Sequence, residues 1–253
     1  MSSRFRRYLH DARTLPGDCA TAWRQEGLPG AWKQISQRTL HRLYRRGRLL
    51  VVRQELARVR ECAPPPGIEI RPLREHEWPA FRALTTQRRW ERFRIALESG
   101  RTCLVAWRGP EPVGYTWISA TISPEIEMHP LPLPPDGAYL WDLYVLPAER
   151  NGGVGSALVS ARLAYARARG FRTGWRLISP RNRPSLRTLE KTSGSGTRIV
   201  GELSYHKLLS HVRAKVRTRP EGESSDAGPA PLRGATPAPG GEPLRDSPVP
   251  PEA

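Results

Sequence analysis

The spacing of hydrophobic and polar positions changes period several times along the chain. Ile68–Leu73 alternates apolar and charged residues, which predicts a half-buried strand. Glu75–Gly100 predicts one or two helices ending at a glycine suited to a C-cap. Thr102–Trp107 and Val113–Ile122 read as strands, with Gly109-Pro110 as the turn between them. Ser123–Gly137 is proline-rich and predicts an irregular loop, and Ala138–Leu146 a further strand. Gly153–Gly170, rich in alanine and leucine, predicts a helix, Thr173–Ile178 a strand and Pro184–Thr192 a short helix. Ile199–Leu209 closes the pattern as a strand or hairpin.

The region before residue 65 is patterned differently. On an ideal helix over Ala31–Arg46, Trp32, Leu40, Leu43 and Tyr44 share one side, and Arg38, Arg42, Arg45 and Arg46 the other. Gly47 interrupts, and Arg48–Arg53 fits a short strand or a continued helix. The run Cys62-Ala-Pro-Pro-Pro-Gly67 is a stiff linker. The segment Pro220–Ala253 has 9 prolines, 5 glycines and no aromatic residue, too little apolar surface to offset chain entropy. Three parts are therefore expected: a basic helical extension over 1–65, an α/β domain over 67–211 and a disordered tail over 220–253.

Charge sharpens this division. The net charge is +17, with only four lysines among 41 basic residues, so part of the arginine excess reflects genome composition. Residues 1–65 carry +9 and residues 220–253 carry −4. No apolar run reaches the roughly 18–20 residues of a membrane-spanning helix, and no apolar core follows Arg4, Arg6 and Arg7 as in a secretory signal. The expected location is cytoplasmic. Cys19, Cys62 and Cys103 are widely spaced, form no CxxC pair and predict reduced thiols rather than a metal site.

The stretch Leu143–Leu158 carries the chemistry. It reads as a strand, a proline stop, a glycine-rich turn and a helix start. Glycines admit a ligand close to the backbone, and the free N–H groups and dipole of a helix N-terminus attract anions. Arg150 adds a full positive charge, so a phosphate or pyrophosphate cradle follows. A P-loop would need Lys-Ser/Thr after its last glycine, but Ser156-Ala157 follows Gly155. A dinucleotide fold would need its glycines after the first strand and an acid about 20 residues on, which residues 170–180 lack.

Val145, Pro147, Arg150, Gly153 and Gly155 resemble the acyl-CoA loop of the GNAT superfamily of N-acetyltransferases. Asn182, Ser185, Glu190 and Lys191 are similar to its second feature, an Asn-x-x-Ser/Ala that opens a helix after a strand. The resemblance covers roughly residues 67–210 and implies a GNAT-type mixed central sheet flanked by helices. It implies acetyl-CoA as acyl donor, with its pyrophosphate on the backbone of Arg150, Asn151, Gly152, Gly153, Val154, Gly155 and Ser156. The thioester carbonyl would pair with the backbone near Leu143 to Val145, and Asn182 and Ser185 would flank the pantetheine arm.

Transfer to an amine needs a base for the nucleophile and an acid for the thiolate leaving group. Asp142 resembles the carboxylate position often used in the family, with a solvated strand residue or an arginine partner as its plain alternative. Glu125, Glu127 and His129 are weaker candidates. Many members carry a tyrosine seven residues after the asparagine; here that position is Leu189. Tyr144, Tyr205 or a water then stands in as acid. Trp117, Tyr139, Trp141 and Trp175 line an acceptor pocket or pack in the core. The basic N-terminal helix packs on the domain or, through residues 31–60, touches anionic membrane. No nucleic-acid motif or stacking platform accompanies it. The expected activity is acetyl transfer to a primary amine; the rival reading is a non-catalytic acyl-CoA-binding or peripheral membrane scaffold.

Overall fold

The computed structural model describes residues 3–38, 44–58, 60–122, 131–192, 196–208 and 211–218. The expected tail lies outside the described residues, as do Glu125, Glu127 and His129. Eight strands form one mixed sheet: β1 (Tyr44–Glu55), β2 (Ile68–Pro72), β3 (Thr102–Arg108), β4 (Glu111–Ser119), β5 (Gly137–Val145), β6 (Thr173–Ile178), β7 (Thr197–Leu208) and β8 (His211–Thr218). Their order across the sheet is β2-β3-β4-β5-β6-β1-β7-β8. Only β5 and β6 pair in parallel; every other neighbouring pair is antiparallel. The helices are α1 (Ser3–Arg38), α2 (Trp78–Arg82), α3 (Gln87–Glu98), α4 (Val154–Ala168) and α5 (Arg183–Thr192).

The two sheet faces are buried by different helices. On one, α3 presents Trp90, Phe93 and Ala96 at helical spacing against Tyr115, Trp117, Trp141 and Tyr144. Phe93 lies 4.9 Å from Trp117 between ring centroids, and Trp117 stacks on Trp141 at the same distance. On the other, Val159, Leu163 and Ala166 of α4 pack on Leu104, Ile118 and Leu140. Each such large side chain taken fully from water contributes about 1.5–3 kcal/mol.

The region before residue 65 differs from the expected basic helix. Helix α1 ends at Arg38, while Tyr44, Arg45 and Arg46 belong to β1. Val51 and Val52 are buried, and the strand runs antiparallel between β6 and β7, so part of the extension is built into the sheet. Gly47 does not break a helix there: it faces Tyr205 across the ladder, and a Cβ on it would sit 2.6–2.8 Å from the tyrosine ring. Helix α1 contains Pro16 and Pro29 and is kinked at Gly27 (φ 66°). Of the apolar side expected to pack, Trp32 is 63% exposed and Tyr44 lies on β1, while Leu40 and Leu43 lie outside the described residues. Ala22 is buried in α1, and a polar contact ties the helix to α3. Asp18, 1% exposed, accepts from the backbone N–H of Gln87 at 2.6 Å, the start of α3. Among the described residues no helix is long and apolar enough to cross a membrane.

Candidate active site

Strands β5 and β6 are joined through only three residue pairs, Gly137–Thr173, Ala138–Gly174 and Tyr139–Trp175. Beyond Tyr139 they part, and a cleft of about 430 Å³ opens between them. It is lined by Tyr139–Leu143 of β5, Arg176–Ile178 of β6, Arg89 and Arg92 of α3, Arg162 of α4, and Asn182 and Ser185 at the start of α5. Carbonyl and N–H groups on two strands that have separated are free of ladder bonds and open to a ligand.

A bulge sets the mouth of this cleft. Tyr115 pairs with Tyr144 and Trp117 with Trp141, so Asp142 and Leu143 together face the single Thr116. Asp142 takes φ 42°, a left-handed conformation that aspartate tolerates better than most residues. The extra residue keeps Trp141 and Tyr144 on the same face and sends Leu143 to the α4 side. The Asp142 carboxylate accepts from the Arg92 guanidinium at 3.3 Å.

The phosphate loop follows β5. Gly153 has φ 89° and precedes α4 without a side-chain cap, and the first intrahelical bond runs from Ala157 N–H to the Gly153 carbonyl. The backbone N–H groups of Val154, Gly155 and Ser156 are therefore left for an anion. A Cβ on Gly155 would meet only Val145 at 3.7 Å, so this glycine leaves the approach to the helix open rather than relieving a clash. Val154 is buried in the core and offers backbone alone. Arg150 donates to the Val145 carbonyl at 3.1 Å, pairs with Glu26 of α1 at 3.5 Å and lies over the Tyr144 ring. Asn151 is also left-handed, with φ 66°, and Gly152 is exposed beside it. At the second motif, Asn182 accepts from the Ser185 N–H at 3.2 Å and so caps α5.

The cleft thus brings together Asp142, Leu143, Asn182 and Ser185, whereas the side chain of Tyr144 points elsewhere. Its ring stacks on Tyr115 at 5.6 Å and its hydroxyl donates to the Gln25 side chain of α1 at 3.5 Å. Burial, with Glu26 nearby, raises the Tyr144 hydroxyl above the ordinary tyrosine range. Tyr205 is buried with Val51 and Leu203, and Leu189 is buried against Val52 and Ile178. Trp117 and Trp141 are core residues, Trp175 packs beside Leu203, and Tyr139 and Trp141 also reach the cleft.

Four arginines of the cleft wall were not singled out from the sequence: Arg89, Arg92, Arg162 and Arg176. Arg89 donates to the Tyr115 hydroxyl at 3.2 Å, and its pKa is raised by Tyr115 and, behind it, Asp142 and Glu26, against the opposing effect of burial. Arg162 and Arg176 are 2% and 5% exposed. The signal available was an arginine at an inward position of an alanine- and leucine-rich helix and another inside a short, mostly buried strand.

Residues 70–194 match the family model of the GNAT acetyltransferases. No curated protein matches the sequence. Among solved structures, a Drosophila protein of structural-genomics origin is similar at 15% identity and TM-score 0.45, covering 71% of this chain and 57% of that one. A ribosomal-protein-alanine N-acetyltransferase from Brucella melitensis is similar at 20% identity and TM-score 0.39, over 56% of this chain and 99% of that one. A Brucella melitensis GNAT acetyltransferase in complex with acetyl-CoA is similar at 22% identity and TM-score 0.35, over 47% and 80%. The loop at Arg150–Ser156 and the parted strands lie within residues 70–194, which form a domain of the GNAT acetyltransferase family, whose acyl donor is acetyl-CoA.

Proposed function

We propose that the protein moves an acyl group from its CoA thioester to a primary amine. The observation that carries this is the cleft between β5 and β6, lined by Tyr139–Leu143 and by Asn182 and Ser185, with the uncapped start of α4 following β5 in the chain. The pyrophosphate rests on the backbone of residues 150–156, with Arg150 beside it, and the pantetheine arm lies between β5 and the start of α5. Leu143 and Val145 supply backbone to the thioester carbonyl. The amine nitrogen attacks the carbonyl carbon, the C–S bond breaks, the nitrogen loses a proton and the sulfur gains one. Asp142 is the group at the mouth of the cleft able to take the proton, directly or through water. Tyr144, kept protonated by burial, is the donor candidate on the same strand, and reaches the sulfur only by leaving Gln25.

Substituting Gly155 by Asp tests the loop without backbone strain, since a side chain is sterically admitted there. Isothermal titration should detect CoA binding to the wild type and none to G155D; equal affinity would end the assignment. Single-turnover thiol release from acetyl-CoA across an amine panel then separates enzyme from scaffold, for a non-catalytic binder would hold CoA without releasing thiol.

Contact with anionic membrane through the N-terminal region is supported by the exposed Trp23, Leu28, Trp32 and Ile35 of α1. Flotation with vesicles containing anionic lipid at low salt checks it, and protein left in the bottom fraction would remove the idea.

A further inference from the structure

Near the junction of β5 and β6 the cleft holds two cations with no counter-ion among the described residues. Arg176 lies on β6 on the same face as Ile178, whose side chain packs toward α5, and Arg162 projects from α4 onto β4. Arg162 donates once, from Nη1 to the Thr116 hydroxyl at 2.8 Å, and its Nε has no partner. Arg176 has no partner for Nε or Nη2. The other two arginines of the wall are engaged, Arg92 by Asp142 and Arg89 by Tyr115. No carboxylate of the described residues bears on the buried pair. The charged or titratable neighbour that acts on Arg162 is Tyr139, and the one that acts on Arg176 is Arg162 itself.

A guanidinium does not shed its proton at ordinary pH, so burial cannot be relieved by neutralisation. Burial lowers Arg162 to about 10, and burial together with the neighbouring Arg162 lowers Arg176 as well, yet Arg162 stays charged near neutrality. Two unpaired buried cations side by side are costly, and the cost falls when an anion enters between them. Both residues line the cleft, and their unpartnered nitrogens lie shielded from solvent beside it.

Direction along the cleft identifies which reactant brings the anion. With the pyrophosphate at residues 150–156 and the thioester at Leu143–Val145, the acyl chain continues along β5 toward Leu140 and Tyr139, where β6 joins and Arg162 and Arg176 sit. We propose that this end of the cleft binds a carboxylate at the terminus of the acyl chain, so that the preferred donor is the CoA thioester of a short dicarboxylic acid, malonyl or succinyl, rather than acetyl-CoA. The inference rests on the acyl-CoA reading above. In the transfer, the amine gains the carboxyacyl group through a new C–N bond, the C–S bond breaks and CoA leaves as the thiol; the terminal carboxylate is unchanged.

The test is titration calorimetry of the full chain with CoA, acetyl-CoA, malonyl-CoA and succinyl-CoA, on wild type and on Arg176→Met. A charge-assisted pair with a buried guanidinium predicts about tenfold or tighter binding of malonyl- or succinyl-CoA over acetyl-CoA on the wild type. The preference should fall to about one in R176M, while its affinity for CoA itself, which reads the intact loop, is retained. Equal affinity of the wild type for all three thioesters, with CoA bound, overturns the carboxylate site and leaves the acyltransferase reading standing. A preference that persists in R176M also overturns it. Absence of CoA binding to the wild type removes both readings. Should R176M not fold, the wild-type ratio decides alone.

Discussion

Asp142 combines three properties that belong to its position and not to its residue type: a left-handed backbone, a place in a two-residue bulge and an ion pair with Arg92 at 3.3 Å. If it accepts the amine proton, Asp142→Asn should lower kcat by about 10²-fold or more with little change in the Michaelis constant for the thioester. A rise in that constant with kcat intact would make it a binding residue. The same strand shows how a neighbour's backbone constrains a residue. A Cβ on Gly114 would approach the Tyr144 carbonyl to 2.8 Å, and backbone cannot swing aside. Gly114→Ala should therefore displace β5 beside the bulge and lower stability by about 1–3 kcal/mol, measured by urea denaturation. Wild-type stability would show that β4 and β5 are not in such close contact.

At the level of the element, α3 illustrates how the site wall is anchored. Thr86 accepts from Arg89 N–H at its start, and Asp18 of α1 accepts from Gln87 N–H, so two of its orphan donors are capped. Removing the longer-range cap by Asp18→Ala should cost about 1–2 kcal/mol and speed hydrogen exchange at the start of α3. Unchanged exchange would mean that Thr86 suffices. The turn before α2 has a pH-dependent counterpart. Burial pushes the Glu77 carboxyl up, but the Arg74 N–H and the Arg71 guanidinium outweigh it and hold the group below its ordinary 4.5. A carboxylate with a depressed folded-state pKa stabilises fully above its unfolded value and loses that contribution as pH falls through the folded value. The stability gap between wild type and Glu77→Gln should thus be open at pH 6 and shrink as pH falls below 4.5 and through the folded value, as read by thermal melts. A gap that is constant with pH would show that Glu77 acts by packing alone.

At the scale of the molecule, the segment before residue 65 is joined to the rest in two ways. Strand β1 lies between β6 and β7 in the sheet, and α1 reaches the site region through Gln25 to Tyr144 and Glu26 to Arg150. The charge that looked like a property of a separate basic leader is thus partly carried on a central strand, where Arg46 and Arg48 are exposed and Val51 and Val52 buried. Among the described residues, the four arginines lining the cleft, drawn from α3, α4 and β6, share that lining with one carboxylate, Asp142. No stretch of sequence contains that excess.

Legible along the chain is whatever depends on sequence neighbours: the strand-turn-helix at residues 143–158, the helix opening at Asn182 and Ser185, and the alternation of Ile68–Leu73 that marks β2. These follow from local backbone geometry and period. The helix expected over Ala31–Arg46 holds to Arg38 but not at Tyr44–Arg46, which join β1, and the choice between strand and helix for Arg48–Arg53 was made by pairing with β6 and β7, partners more than 100 residues away. The sequence could not show the bulge either, since strict alternation would put Trp141 and Leu143 on one face and only the Tyr115 and Trp117 pairings reveal the shift. The parting of β5 and β6 and the meeting of Arg162 with Arg176 were decided by tertiary structure alone. Charge at a buried point depends on which distant residues converge there, and that is a property of the fold.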